Sequence, residues 1–360
     1  MTSTTMNFPA DADQHLKGNS PNKPVMNTLY ENNKKWLFAL YLVVPVCVLF
    51  VLIDHFLLNG MMQQALPRHP VEWAFWAIFF NFPHIVSSFI TLADKEYLGV
   101  YKKNITYSLL AITAFMGLIF FTMSLFPGRV AFRIETLFLI FIAIYTMYHV
   151  MSQQYGLSLM MMQRPANLNY QFWRWSSVLV ATILYIHVFM KGYIYKMTVF
   201  TLPLADVLLY IAALLMIVST IAGMKIGLSS NTKLGRYYVF GNIAMVIACY
   251  FCLEMGYSVF VILMPRVIHD ITAFMIYSGH DQNRNANGYK NFIYGSLSFL
   301  KIPPRFLNPI LAIVIAALVD YFAGYRTMGM IIIFCGLFHY YMEGIMWKGN
   351  SIHRKSLKFS

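Results

Sequence analysis

From Trp36 to Trp347 the sequence is a succession of apolar stretches, each about long enough to cross the hydrocarbon core of a bilayer. No part of that interval has the polar balance from which a soluble core is built. The composition agrees: 59% of the residues are apolar and 11% charged, where soluble domains run at about 25% charged. The chain therefore reads as all-α, a polytopic integral membrane helical bundle of about ten transmembrane helices. The expected spans are 36–57, 72–93, 105–126, 134–156, 172–190, 203–224, 237–256, 257–279, 308–323 and 327–347. They form a single transmembrane domain, 36–347, between a polar tail, 1–35, and a basic tail, 348–360. The weakest boundary is "MGYSVF" at 255–260, where Gly256 is the main turn signal. Nine helices are the alternative, and would invert everything after that point.

The charge distribution favours ten. Twenty of the 27 lysines and arginines fall in alternate segments starting with the N-terminal tail; six lie in the others, and Arg266 lies within a span. This asymmetry is the positive-inside pattern and puts both termini in the cytosol, with a bacterial inner (plasma) membrane as the expected location. The net charge of +13 thus reports orientation, and no nucleic-acid partner is expected. The first 35 residues lack the apolar region of a cleavable signal peptide, so the first span is expected to act as an uncleaved signal. Cys47, Cys249, Cys252 and Cys335 all lie in apolar spans, and "CYFC" at 249–252 lacks the βαβ setting of a redox motif. The long segment 280–307, on the expected cytosolic side, contains "YKNFIYGSLSFL", which reads as a short interfacial helix ended by Pro303 and Pro304.

Polar groups deep in hydrocarbon cost roughly 2–4 kcal/mol each and are usually turned inward for a purpose. Of ten histidines, His15 and His353 fall in polar tails and His55 and His69 flank an outer loop, where none needs a role. His187 reads as a hydrogen-bonding helix partner. The remaining intramembrane set is His84 in "NFPHIVSSF", His149 in "YHVMSQQYG", His269 in "RVIHDITAF" and His339 in "FHYYMEG". They sit on the second, fourth, eighth and tenth spans, which all run toward the cytosol. Counting to the next charged or imidazole group at that side places three of them roughly 13–17 Å deep. His149 joins that level if its helix ends near Gly156. A single such histidine is most often a helix–helix hydrogen bond. Four at one depth point to a metal, since imidazole suits Fe, Zn and Cu, although no tight H-x-x-x-H pair accompanies them.

Ligating histidines normally hand their second N–H to an acceptor. Glu343 shares a helix face with His339, Gln153 shares one with His149, and Asp270 follows His269. Ser87 and Ser88 offer weaker acceptors to His84, and Pro83 can open a backbone carbonyl there. Arg266 and Asp270 are four apart and suit an intrahelical pair; the alternative is that Arg266 receives an anionic substrate group. His280 is 11 residues from His269, roughly 16 Å along a helix, too far to share one ion.

The stretches "NFPH", "YHVMSQQYG", "RVIHD" and "FHYYMEG" resemble in kind the bacteriorhodopsin-related-protein family of membrane β-carotene dioxygenases. The HxxxH and HxxHH boxes of membrane desaturases are absent. The resemblance implies a non-haem iron, Fe(II), held by His84, His149, His269 and His339, in an oxygenase or oxidoreductase. Its substrate would be lipophilic: a carotenoid, another isoprenoid or a lipid drawn from the surrounding membrane lipids. Glu343 and Asp270 are then the candidate catalytic groups, with Arg266, Tyr340, Gln153 and His280 toward the substrate. Haem b or Zn are alternative cofactors, and an ion- or proton-coupled transporter is the alternative function.

Overall fold

The computed structural model describes residues 29–67, 82–349 and 351–360, without the side chains of 324–326. His15, His69, the start of the N-terminal tail and the first half of the second expected span lie outside the described residues. Within them the chain is almost wholly helical, with one two-residue ladder pairing Thr198–Val199 with Leu202–Pro203. Among the described residues, nine helices are long and apolar enough to cross a membrane. In chain order we label the helices α1 (Lys34–Leu57), α2 (the shorter apolar Phe82–Leu92), α3 (Lys95–Leu125), α4 (Arg129–Met162), α5 (Leu168–Ile194), α6 (Leu204–Leu228), α7 (Lys233–Glu254), α8 (Ser258–Arg284), α9 (Pro304–Ala323) and α10 (Thr327–Met346).

Several helices outrun the apolar cores expected from sequence, and their ends explain why. Asp94 accepts from the Glu96 amide at 2.9 Å and starts α3 ten residues before its apolar part. Asn33, Asn167 and Thr232 cap α1, α5 and α7 in the same manner, each satisfying amide groups that a helix start leaves without partners. The starts of α4, α6 and α8, at the other end of the bundle, have no side-chain cap. α4 runs on to Met162 rather than stopping near Gly156. Gly156 leaves it unbroken because glycine alone costs a helix only about 1 kcal/mol, whereas Gln163 ends it by adopting a left-handed conformation.

The questionable boundary at 255–260 is a real turn. Gly256 takes φ +84°, a left-handed conformation that favours glycine. Local helical geometry continues from Pro304 to Met346, yet the contacts demand a reversal. Ser87 donates to Asn308, while its neighbour Ser88 meets His339 at 2.8 Å. Those partners would lie about 46 Å apart on a straight helix. α9 and α10 are therefore antiparallel arms, both against α2.

The largest apolar core packs α1, α4, α5, α7 and α8 together, with Trp173, Tyr155, Tyr238 and Met151 fully buried. Close approach at the α4–α7 crossing depends on Gly235, where a Cβ would lie 2.5 Å from the Met162 backbone. A second core joins α2 to α9 and α10 through Ile85, Ile90, Ala312 and Met328. The two described chain ends meet at one end of the bundle. Asn32 forms a parallel bridge with Phe359, and Asn283 of α8 donates to the carbonyls of both Tyr30 and Ser356 at 2.9 Å. The short helix expected near 289–300 is present as Phe292–Ser296 followed by a 3-10 turn, and Pro304 opens α9.

Candidate metal centre

α2, α4, α8 and α10 bring His84, His149, His269 and His339 into one buried ring. Ring centroids are 5.1 Å apart for His84–His269, 4.9 Å for His269–His149, 5.0 Å for His149–His339 and 5.0 Å for His339–His84. Neighbouring rings meet at interplanar angles of 67–83°. A metal ion sits about 2.0–2.1 Å from a ligating imidazole nitrogen, hence roughly 3.2 Å from the ring centroid. Two rings sharing an ion would then be roughly 4.5 Å apart at a right angle and 5.2 Å apart at a tetrahedral one. The observed spacings fall between those limits. Nitrogens of His84, His149 and His339 lie within 4.8 Å of one another, as do donor atoms of His84, His269 and Asp270. These groupings are able to hold a metal ion.

Hydrogen bonds fix which nitrogen is offered. Ser88 has one hydroxyl proton, given to the Ile85 carbonyl at 2.7 Å, so its Oγ accepts from His339 Nδ1–H at 2.8 Å. That leaves the His339 Nε2 lone pair free, and Nε2 has no hydrogen-bond partner among the described residues. His84 Nδ1 lies 3.2 Å from Asp270 Oδ1, which turns its Nε2 the other way. The Nε2 of His149 and both nitrogens of His269 are likewise buried without a hydrogen-bond partner among the described residues. Buried imidazole nitrogens are costly to leave unmet, and His149 and His339 each bring one within 4.8 Å of the other and of a His84 nitrogen.

Two carboxylates flank the ring. Asp270 lies 3.4 Å from Arg266 Nε and 3.8 Å from His269 Nε2, so the buried arginine is paired along its own helix. Glu343 is closer to His149 (3.4 Å to Nε2) than to His339 (3.8 Å), and receives the Tyr277 hydroxyl. Tyr340 stacks on the His149 ring at 4.2 Å. Gln153, expected beside His149, is half-buried with its Oε1 lacking a hydrogen-bond partner, and makes none to the four histidines; Glu343 reaches His149 from the facing helix instead. Ser88 serves His339 rather than His84, and Ser87 turns away to Asn308.

His280 stands apart, as its spacing requires. It bonds Tyr97 through Nε2 at 2.9 Å and Asp281 through Nδ1 at 2.8 Å. Asp281 also receives Thr91, Asn308 and Tyr294, so its carboxylate is fully engaged and clasps α2, α8, α9 and the 285–303 segment. His353 corrects the sequence reading: far from lying in a solvated tail, it is wholly buried, stacked on Tyr97 at 3.7 Å and on His280 at 5.2 Å. Burial, with the nearby charges of His280 and Arg284, pushes its imidazole down to about 2. Burial pushes the Asp94 carboxyl up, but its hydrogen bonds and charge pairing with Arg284, and the amides of Glu96 and Tyr97, hold it below the ordinary value. Sequence reasoning missed Tyr277, Asp281, Asn308 and Asp54, the last accepting from Met62, Gln63 and Tyr257 at the opposite end. Polar residues at helix margins were the available signal.

Compared with protein-family models, curated proteins and solved structures, the chain matches none.

Proposed function

We propose that this chain is an integral membrane protein that holds one metal ion, non-haem iron, among His84, His149, His269 and His339, and acts as an oxygenase or oxidoreductase on a lipophilic substrate. The observation that carries the reading is the ring of four imidazoles from four helices, spaced 4.9–5.1 Å apart. Support for the orientation comes from the bundle end that gathers Asn32, Asp94, Arg284 and Phe359, where the basic segments meet; this is the end we assign to the cytosol. Iron bound by neutral imidazoles would supply open positions for dioxygen chemistry. Ser88 and Asp270 orient two of the ligands. Glu343, held by Tyr277, stands where it can take up a proton or complete the ligand set. A b-type haem is the poorer fit, because neighbouring rings this close leave no plane for a porphyrin. A transport route is the poorer fit too, since the Asp281 clasp fills the polar interior on one side of the ring.

The test is metal analysis and visible spectroscopy on protein purified in detergent, with oxygen uptake measured on candidate lipids. About one iron per chain without a Soret band is expected, lost in His149→Ala and His269→Ala variants that keep their helix content. A folded wild type that neither carries iron nor takes up added Fe(II) or Zn(II) overturns the proposal.

A further inference from the structure

Among the described residues, the ring is enclosed except at one seam. His84, His269, Asp270 and His339 are 0% exposed, whereas His149 and Glu343, which face each other between α4 and α10, keep 7% and 6%. What covers that seam is the half-buried ring of Tyr340. From there an unbroken file of rings runs outward: Tyr340 to Tyr145 at 5.4 Å, Tyr145 stacked on Phe141 at 5.9 Å, and Phe141 to Phe115 of α3 at 5.4 Å. Phe141, Tyr145 and His149 are four residues apart and so share one face of α4, covering about 12 Å. Phe141 and Phe115 are 42% and 38% exposed on the outer surface of the bundle. Aromatics scattered on a lipid-facing surface are ordinary; a file of touching rings that ends on a candidate metal ligand is a directed feature.

We infer that this file is the substrate path, that its occupant is a planar unsaturated hydrocarbon chain arriving sideways from the bilayer, and that Tyr340 is the positioning residue at its inner end. The inference rests on the proposed metal site for its purpose. Rings prefer to stack on other π systems, and the four rings of the file carry no charge to receive a head group. A chain laid on Phe141 and Tyr145 would bring its double bonds beneath Tyr340 to the His149–Glu343 seam, where the described ring residues keep some exposure.

The probe is cis-parinaric acid, a conjugated tetraene fatty acid, with binding read by energy transfer from the protein's tryptophans and metal measured on the same samples. Saturable binding is expected, weakened about tenfold in the Phe141→Ala/Tyr145→Ala double variant and in Tyr340→Leu. Tyr340→Phe, which keeps the ring, should bind as wild type does, as should Tyr210→Ala, which removes a lipid-facing ring elsewhere on α6. Saturated stearic acid should displace the probe poorly. Unchanged affinity in the double variant, or displacement by stearic acid as effective as by unlabelled tetraene, overturns the inference. The expected binding pattern in protein free of metal supports the path and counts against the metal site alone.

Discussion

Ser88→Ala removes one oxygen and should weaken metal binding by about 10–100-fold. In the native ring the Ser88 hydroxyl proton goes to Ile85 and its Oγ accepts His339 Nδ1–H at 2.8 Å, so the tautomer that frees Nε2 is selected before any ion arrives. Alanine leaves that N–H buried without an acceptor, at a cost of about 1–3 kcal/mol. The imidazole can then move its proton to Nε2, the atom needed for ligation. Losing an outer hydrogen-bond partner of a ligating histidine typically costs 10–100-fold in metal affinity, or about 1.4–2.7 kcal/mol. Competition against a chromophoric chelator, with Fe(II) or Zn(II) and protein in detergent, measures it; circular dichroism confirms helix content. Ser88→Thr keeps the oxygen and should retain most of the affinity. Ser87→Ala, which cuts the bond to Asn308 instead, should leave affinity within about twofold of wild type, a shift under about 0.4 kcal/mol. If Ser88→Ala binds metal like wild type while His339→Ala does not, selection of the tautomer by Ser88 is refuted.

Asp270→Asn strands the buried Arg266 charge and should destabilise the bundle by about 3–5 kcal/mol, visible as a lower unfolding temperature; Arg266→Met with Asp270→Asn should recover much of the loss. Gly235→Val forces a side chain against the Met162 backbone, with a Cβ contact of 2.5 Å, and should cost about 1–3 kcal/mol in denaturant titration. Acidification should loosen the docked C-terminal segment. His353 is held neutral when folded, so its contribution is intact above the unfolded imidazole value near 6.5 and falls as pH drops below it, by about 2 kcal/mol at pH 5. Asp94, with its folded value depressed, begins to matter only near its unfolded value of about 4. Protection factors of residues 351–360, taken relative to the intrinsic exchange rate at each pH, should therefore fall between pH 7 and 5 in wild type and show no such fall in His353→Gln.

The all-helical bundle was readable from apolar run length, and the convergence of His84, His149, His269 and His339 from their placement within those runs. Gly256 marked its turn for the same local reason. Partner choice was not readable. Ser87 and Ser88 are neighbours in sequence, but 100° of helical rotation sends one to Asn308 and the other to His339. Glu343 was expected beside His339, its neighbour one turn back, yet the facing helix brings His149 closer. His353 looked solvated because its surroundings in sequence are basic. Its burial depends on α3 and α8 supplying Tyr97 and His280 from more than 70 residues upstream. Such choices are made by packing between helices, which one-dimensional periodicity does not contain.

The ring's members come from α2, α4, α8 and α10, and that order governs how the protein can be made. His84 and His339 are 255 positions apart, and His339 stands 21 residues from Ser360. Synthesis proceeds from the N-terminus, so three imidazoles are made before α10 supplies the fourth. The parallel bridge that ties Asn32 to Phe359 closes later still. The ring of four imidazoles can thus close only after α10 has been made. A chain truncated before α10 would lack His339, Glu343 and the docked tail together, and would present unmet polar groups in its interior of the kind that quality-control proteases act upon.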